Sequence, residues 1–403
     1  MRAAVDIAVA GTGHTALTAA LALARALPHW RIALLGGADA AGGADPRVTA
    51  LAASSREIFV QLGIWPALAA AAAPILDIRI DEQGAPASAC LGPVAAADAF
   101  GHVIENPLLS AALAAAVAAL PNVERLPAVT GTPRPAADHC ALPVGEGSVV
   151  ARLLVVADGT DSPLRTALGI EVEARDYGTT ALLATLELDA PHGGLACEHF
   201  TPSGPLALLP LPARDGRERM ALVWVLPPPR AAELAAASPQ RRLTELRAAL
   251  PPGAAPVSAM GDPALVPLRR IRACEPVRSR LVLAGNAAHS LHPVAGQGFN
   301  LSVRDLAALA QALREHAAGG GDPGELRMLA DYARRRERDQ QRTLMFSETL
   351  PALFARRELP LRLGRQLGLL ALDRLPPLRR AVANFGAGLS LPAARVVDAD
   401  ARL

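Results

Sequence analysis

The sequence predicts an α/β fold on three observations: an apolar run ending in a glycine-rich turn, a helix-and-strand return straight after it, and two later apolar runs that also end in glycine-bearing turns. Val5-Asp6-Ile7-Ala8-Val9-Ala10 has the mostly apolar character of a strand buried on both faces. Gly11-Thr12-Gly13-His14-Thr15-Ala16 follows, then a helical stretch from Leu17 to about Leu27, which Pro28 ends. Arg31 to Leu35 reads as the second strand. In such a βαβ unit a pyrophosphate sits on the helix N-terminus. Gly11 permits the tight turn, Gly13 lets the backbone approach a phosphate, and the small Ala16 keeps helix and strand close. The competing reading is an ordinary tight turn; the strand-turn-helix setting favours a dinucleotide. The acidic residue expected after strand two, which would bind a ribose, is replaced by Gly36-Gly37, with Asp39 further on.

Leu153 to Ala157 forms the second apolar run, leading into Asp158-Gly159 and a short helix for which Ser162 and Pro163 are the N-cap and first residue. Asp158 is placed to accept turn amides and Gly159 to relax the backbone. The third run, Leu281 to Ala284, delivers the chain to Gly285-Asn286, and a loop carrying His289, His292 and Pro293 crosses to Gly296-Gln297-Gly298. Those glycines open a helix reaching about Leu313. They leave its first amides bare, and the helix dipole favours negative charge there. A reduced flavin carries such charge at N1 and the neighbouring carbonyl, which places an isoalloxazine ring at this spot.

Composition bounds the answer. The chain has 403 residues, 51% hydrophobic and 19% charged, which fits a folded protein with a sizeable core. A formal charge of +2 gives no reason to expect a nucleic-acid partner. Apart from histidine every basic residue is Arg, which excludes a lysine nucleophile or Schiff base. Cys90, Cys140, Cys197 and Cys274 have neither metal-ligand nor disulfide-framework spacing, so no metal is expected and the thiols read as free core residues. No secretory signal or bilayer-spanning run is apparent, and the Ala-rich stretches 67–73 and 111–120 read as packed helices. The expectation is a cytoplasmic enzyme, soluble or peripheral on the inner membrane.

Further along, Thr180–Leu188 and Met220–Leu226 read as strands, Pro227-Pro228-Pro229 as a rigid connection, and the region around 231–249 as one helix. Residues 319–324 read as a hinge, and Asp331 to Arg342 as a solvated helix face. Leu359–Leu375 mixes leucines with Arg362, Arg365 and Arg374. It is an amphipathic helix either packed on the body or touching a membrane surface.

The three glycine-bearing segments, in this order, resemble the single-component flavoprotein monooxygenases related to para-hydroxybenzoate hydroxylase. Gly285-Asn286-Ala287-Ala288-His289, with His292-Pro293-Val294-Ala295-Gly296-Gln297-Gly298-Phe299-Asn300-Leu301 and Arg304-Asp305, is similar to the ubiquinone-biosynthesis branch. The Asn286 form resembles the 2-octaprenyl-6-methoxyphenol hydroxylase subgroup. Asp45-Pro46-Arg47-Val48-Thr49-Ala50-Leu51 resembles the segment whose Arg approaches the flavin, and His199-Phe200-Thr201 through Gly204 to Pro210 resembles that subgroup's middle domain. Ser110 stands where relatives often place a flavin-contacting Gln or Arg.

The resemblance implies a Rossmann-like FAD-binding domain (1–72, 98–176 and 268–318) interleaved with a mostly antiparallel β substrate domain (73–97 and 177–267), plus a C-terminal helical region (319–403). It implies FAD held by Gly11, Gly13, Ala16, Arg47, Asp158, Gly159, Gly285, Asn286, Pro293, Gly296, Gln297, Gly298 and Asn300. NAD(P)H would reduce the flavin, molecular oxygen would add as a C4a-hydroperoxyflavin, and a polyprenylated phenol would be hydroxylated. No side chain stands out as an obligatory acid or base. His289 and His292 are candidates, with a structural hydrogen-bonding role as the competing reading. The alternatives are a hydroxylase of another small phenol, an FAD-dependent reductase of prenyl chains, or a non-catalytic flavin-fold subunit that binds lipid or partners in a biosynthetic complex.

Overall fold

The computed structural model describes residues 2–36, 45–93, 98–291, 296–356, 358–390 and 394–397. Asp39, His292 and Pro293 lie outside these. Among the described residues the helices are α1 (His14–Ala26), α2 (Ala53–Gln61), α3 (Trp65–Ala69), α4 (Asn106–Ala118), α5 (Pro163–Ala167), α6 (Pro228–Ala236), α7 (Pro239–Ala249), α8 (Gln297–Ala318), α9 (Leu326–Ala355), α10 (Leu359–Arg374) and α11 (Pro376–Gly386).

The first sheet is built on parallel strands. Arg2–Ala10 lies between Gly147–Val156 and Ile32–Leu35, with Leu281–Leu283 beyond the one and Val123–Leu126 beyond the other. The apolar run at 5–10 is explained by its two faces. Ile7 and Val9 meet α1, α4 and α8, while Val5, Ala8 and Ala10 meet a second layer that includes Leu142 and Leu164. Burial on both sides leaves no place for alternating polar residues. Helix α1 is enclosed nearly all round, with every residue from Ala16 to Ala24 buried, so its alanines are what close helix–helix approach requires.

The second sheet is larger and mostly antiparallel. Its order runs His289–Ser290, Ala264–Ala273, Val172–Leu188, Arg217–Leu226, Gly204–Arg214, Leu195–Thr201, Asp77–Glu82 and Ser88–Leu91, with Leu195–Thr201 and Asp77–Glu82 parallel. One face, carrying Leu182, Leu186, Leu208 and Trp224, packs on Leu234 and Leu246 of α6 and α7. The other face looks into a cavity. A small antiparallel sheet of Val48–Ala52, Gly101–Glu105 and Ala73–Ile75 sits beside it. The edge strand His289–Ser290 carries the chain from the first sheet straight onto the second.

Several expectations are corrected. The region 231–249 is two helices: Ser238 caps α7 by accepting from Arg241 N, and Pro239 begins it. A proline ring continuing α6 would clash with the carbonyl four residues back, at about 3 kcal/mol. Of the run 67–73, only its start is helical; Ala73 already belongs to a strand. At the end of the stretch 319–324, Gly324 O accepts from Arg280 N at 2.9 Å and a Cβ there would meet Arg152 O at 2.4 Å. Cys90 and Cys274 are exposed, while Cys140 and Cys197 are buried.

The segment 331–342 is not simply a solvated face. Arg336 and Asp339, on the inner side of α9, join a buried network. Arg336 Nε donates to Asp305 at 2.6 Å, Gln340 Nε2 to the same carboxylate at 2.9 Å, and Arg304 Nε to Asp339 at 2.9 Å. Charge density in the sequence does not tell which turn of a 30-residue helix faces inward.

Candidate active site

Helix α1 starts at Gly13, which has no side-chain cap, and no acidic residue lies in its first turn. A Cβ at Gly13 would meet nothing within 4 Å, so the helix start is uncrowded at this position. Gly11, at φ +138°, allows no side chain: a Cβ would lie 2.3 Å from Ala157 O and 3.1 Å from the Cβ of Ala16. The smallness of Ala16 and the absence of a side chain at Gly11 are one packing requirement.

Asp158 Oδ2 accepts from Leu164 N at 3.1 Å, and Ser162 Oγ caps α5 by accepting from Arg165 N at 3.0 Å. Asp158 Oδ1 is buried without a hydrogen-bond partner, a group that a ligand hydroxyl would satisfy. Gly159, at φ +100°, has open space where a Cβ would stand. Gly285, at φ +58°, packs on α1, and a Cβ would meet Thr15 at 2.5 Å. Asn286 is exposed in the turn Gly285–Ala287.

Helix α8 begins from Gly296 in the left-handed conformation, again with no side-chain cap and no acid in the first turn. A Cβ at Gly298 would meet nothing within 4 Å. The two bare helix starts are brought together by packing: the His14 ring meets Phe299 edge-on at 5.7 Å between centroids. Between them His14 Nε2 lies 2.7 Å from Ser110 Oγ, so Ser110 is paired within the nucleotide turn. Burial holds His14 below its ordinary value, against the opposing pull of the Asn106 carbonyl and the Asp45 charge.

Three of the expected ligand-binding side chains are engaged elsewhere. Asn300 accepts from Ala52 N at 2.8 Å and donates to Ala50 O and Gly296 O at 2.7 and 2.8 Å, so it positions the start of α8. Gln297 Nε2 donates to Gly386 O at 3.1 Å, and Gln297 also lines the cavity. Arg47 is drawn onto Asp45, donating from Nε at 2.7 Å and Nη2 at 2.8 Å, while Asn106 Nδ2 donates to the same carboxylate at 2.9 Å. Arg47 nonetheless lines the cavity. His289 is structural, bonded to Asp305 in the buried network.

The cavity, about 360 Å³, runs from Gly296–Gly298 across the open face of the second sheet. Ile78, Ile80, Ala207, Val223 and Val225 make it apolar, and Phe346, Leu350 and Val382 of α9 and α11 close it. Sequence reading missed one member. Glu198, opposite Ala207 and Ile80 in the sheet, also lines it, and burial pushes its carboxyl up to about 7.

The chain matches the family model described as FAD binding domain over residues 4–347. It is similar to ubiquinone hydroxylase UbiL of Rhodospirillum rubrum, 34% identical over 95% of this chain and 89% of that one. It is also similar to 3-demethoxyubiquinol 3-hydroxylase of Escherichia coli, 30% identical over 86% of this chain and 88% of that one. Among solved structures, p-nitrophenol 4-monooxygenase PnpA of Pseudomonas putida shares the fold, with a TM-score of 0.79 at 20% identity over 97% of this chain and 100% of that one.

Proposed function

This chain belongs to the FAD-binding monooxygenase family, and we propose that it hydroxylates a polyprenylated phenol in ubiquinone biosynthesis, using NAD(P)H and molecular oxygen. The observation that carries the reading is the cavity itself. An apolar chamber of small-molecule size (~300–1,000 Å³ is usual) abuts the bare start of α8.

The residues present fit FAD. The open amides at the start of α1 suit its pyrophosphate, and the unpartnered Asp158 Oδ1 suits a hydroxyl of the cofactor. The backbone of Gly296, Gln297 and Gly298 suits the negative end of the reduced ring. When bound, FAD supplies the redox chemistry and oxygen activation. The protein's part is to hold the phenol ring against that site and exclude water, which the Ile, Val, Phe and Leu lining does.

A lipid tail needs a route. The helices that close the cavity continue into α10, whose Leu359, Leu363, Leu367 and Leu370 are exposed on one stripe, followed by Leu375 and Leu378. Arg356, Arg362, Arg374 and Arg380 are exposed around it. The opposite face is fixed to the body by Arg365, which donates to Glu82 at 2.6 Å. An apolar stripe ringed by cations suits an anionic bilayer surface. No helix among the described residues is long and apolar enough to cross a membrane.

The test is spectroscopic and chemical together. Purified protein should show flavin bands bleached by NAD(P)H, take up oxygen with a prenylated phenol, and yield a product heavier by one oxygen. Complementation of strains blocked at each quinone hydroxylation step identifies the ring position. Protein that cannot be loaded with flavin, or that reduces the prenyl chain without consuming oxygen, overturns the reading.

A further inference from the structure

We propose that Glu198 is the substrate anchor: its carboxylate accepts the hydrogen bond of the phenol hydroxyl inside the cavity. The inference rests on the hydroxylase reading above and deepens it, since neither the fold nor the sequence patterns assign this residue a role.

Placement is the first argument. In the strand Leu195–Thr201, alternate residues face opposite ways, and Glu198 is paired with Ala207 on one side and Ile80 on the other. Ala196, Ala207, Ile78, Ile80, Val223 and Val225 share the cavity wall with it. A carboxylate on such a face is costly unless something repays its desolvation. Among the described residues no protein group does. Glu198 Oε1 is buried without a hydrogen-bond partner, and no described residue forms an ion pair with it.

The charges nearby are committed elsewhere. Arg47, the other charged residue lining the cavity among the described residues, is bound to Asp45. Glu82, two residues beyond Ile80, is held by Arg365. Asp81, Arg79 and His199 alternate onto the other face and pair there, Asp81 with both Arg79 and His199. Cys197 is a neutral thiol, pushed by burial up to about 11. Glu198 is therefore an unpaired carboxylate in a mostly apolar chamber, which is the arrangement that selects one hydroxyl of an otherwise apolar ligand.

The consequence is chemical as well as positional. A carboxylate accepting from a phenol O–H draws electron density from that bond into the ring, at the carbons ortho and para to the hydroxyl. Those are the carbons an electrophilic oxygen attacks. Burial alone raises Glu198 to about 7, so the acceptor form appears as pH rises through neutrality.

The experiment compares binding of an ortho-prenylated phenol bearing one isoprene unit with binding of its O-methyl ether. Titration calorimetry on flavin-loaded wild type, Glu198→Gln and Glu198→Asp gives the affinities from about pH 5.5 to 9. The wild type should prefer the phenol by roughly ten- to a hundredfold above neutrality, with the preference fading as Glu198 is protonated. Glu198→Gln should keep flavin content, lose most of the preference and bind with no pH dependence. Glu198→Asp should retain the pH dependence with weaker binding, and it decides the matter should the Gln variant not fold. Wild type that hydroxylates the phenol while Glu198→Gln keeps its preference and pH profile sinks the assignment but leaves the hydroxylase reading standing. Wild type that binds and hydroxylates no phenol sinks both.

Discussion

His289 Nε2 lies 2.8 Å from Asp305 Oδ2, and both side chains are only 5% exposed. The pair joins the edge strand His289–Ser290 to the third turn of α8, so it fixes where the glycine-opened helix start points. Arg336 and Gln340 of α9 complete the carboxylate's hydrogen bonds.

Substituting Asp305→Asn should be severe. Burial alone would raise this carboxyl, but the Arg336 charge and the His289 bond outweigh it and hold Asp305 at about 2, below its ordinary 3.8. Its stabilising contribution is therefore full above about pH 4 and is lost as pH falls toward 2. Removing the charge leaves Arg336 with Asp339 alone, a carboxylate that Arg304 also engages, and breaking a buried pair costs up to about 3–5 kcal/mol. Thermal melts at neutral pH should show the loss, with weaker flavin retention. A Tm unchanged by the substitution rules out this account of the network.

Gly11→Ala should abolish flavin loading. Its Cβ would stand 2.3 Å from Ala157 O at a φ that side chains rarely adopt, and neither backbone segment can yield without parting two strands of the first sheet. Flavin content after reconstitution is the measurement, and a fully loaded variant is the contrary outcome.

Position 36 behaves differently. A Cβ there would meet the Thr12 methyl at 2.4 Å and Gly11 O at 2.9 Å. Gly36→Ala should destabilise by about 1–3 kcal/mol, the usual cost of overpacking. Adding Thr12→Gly should recover the share due to the methyl. Denaturant melts of the single and double variants test this coupling, and strict additivity would falsify it.

Glu198→Gln should change stability in a pH-dependent way. Ionising Glu198 costs more in the folded chain than in the unfolded one, where its value is near 4.5 rather than about 7. Wild type therefore loses stability as pH rises from about 4.5 to 7, and the deficit is complete above. The Gln variant should melt higher at pH 8, by on the order of 1–3 kcal/mol, and about equally at pH 4. Parallel melting curves at both pH values would contradict a buried, unpaired carboxyl.

Leu363→Glu with Leu367→Glu should release the protein from anionic vesicles while leaving turnover of a short-tailed phenol unchanged, since both leucines are exposed. Co-sedimentation with vesicles of about one-third anionic lipid reads the difference. Equal sedimentation of variant and wild type excludes α10 as the membrane contact.

By itself the sequence determined the glycine-bearing turns. Each demand is local: φ +138° at Gly11, a left-handed Gly296, the Ser162 cap before Pro163. Local backbone geometry is written in adjacent residues, so it can be read from them. Glu198 was legible in principle, as a charged residue within the strand-like Leu195-Ala196-Cys197-Glu198-His199-Phe200. Its neighbour His199 hid it, since two polar residues in succession blur a period of two. Only the tertiary structure decided which face of that strand meets the cavity, which turn of α9 is buried, and that Asn300 and Gln297 bond to the backbone of Ala50, Ala52, Gly296 and Gly386. These facts depend on partners far away in the chain, such as Ala207, Asp305, Ala50 and Gly386. Burial is a property of what packs against a residue, and nothing in the residue's own neighbourhood specifies it.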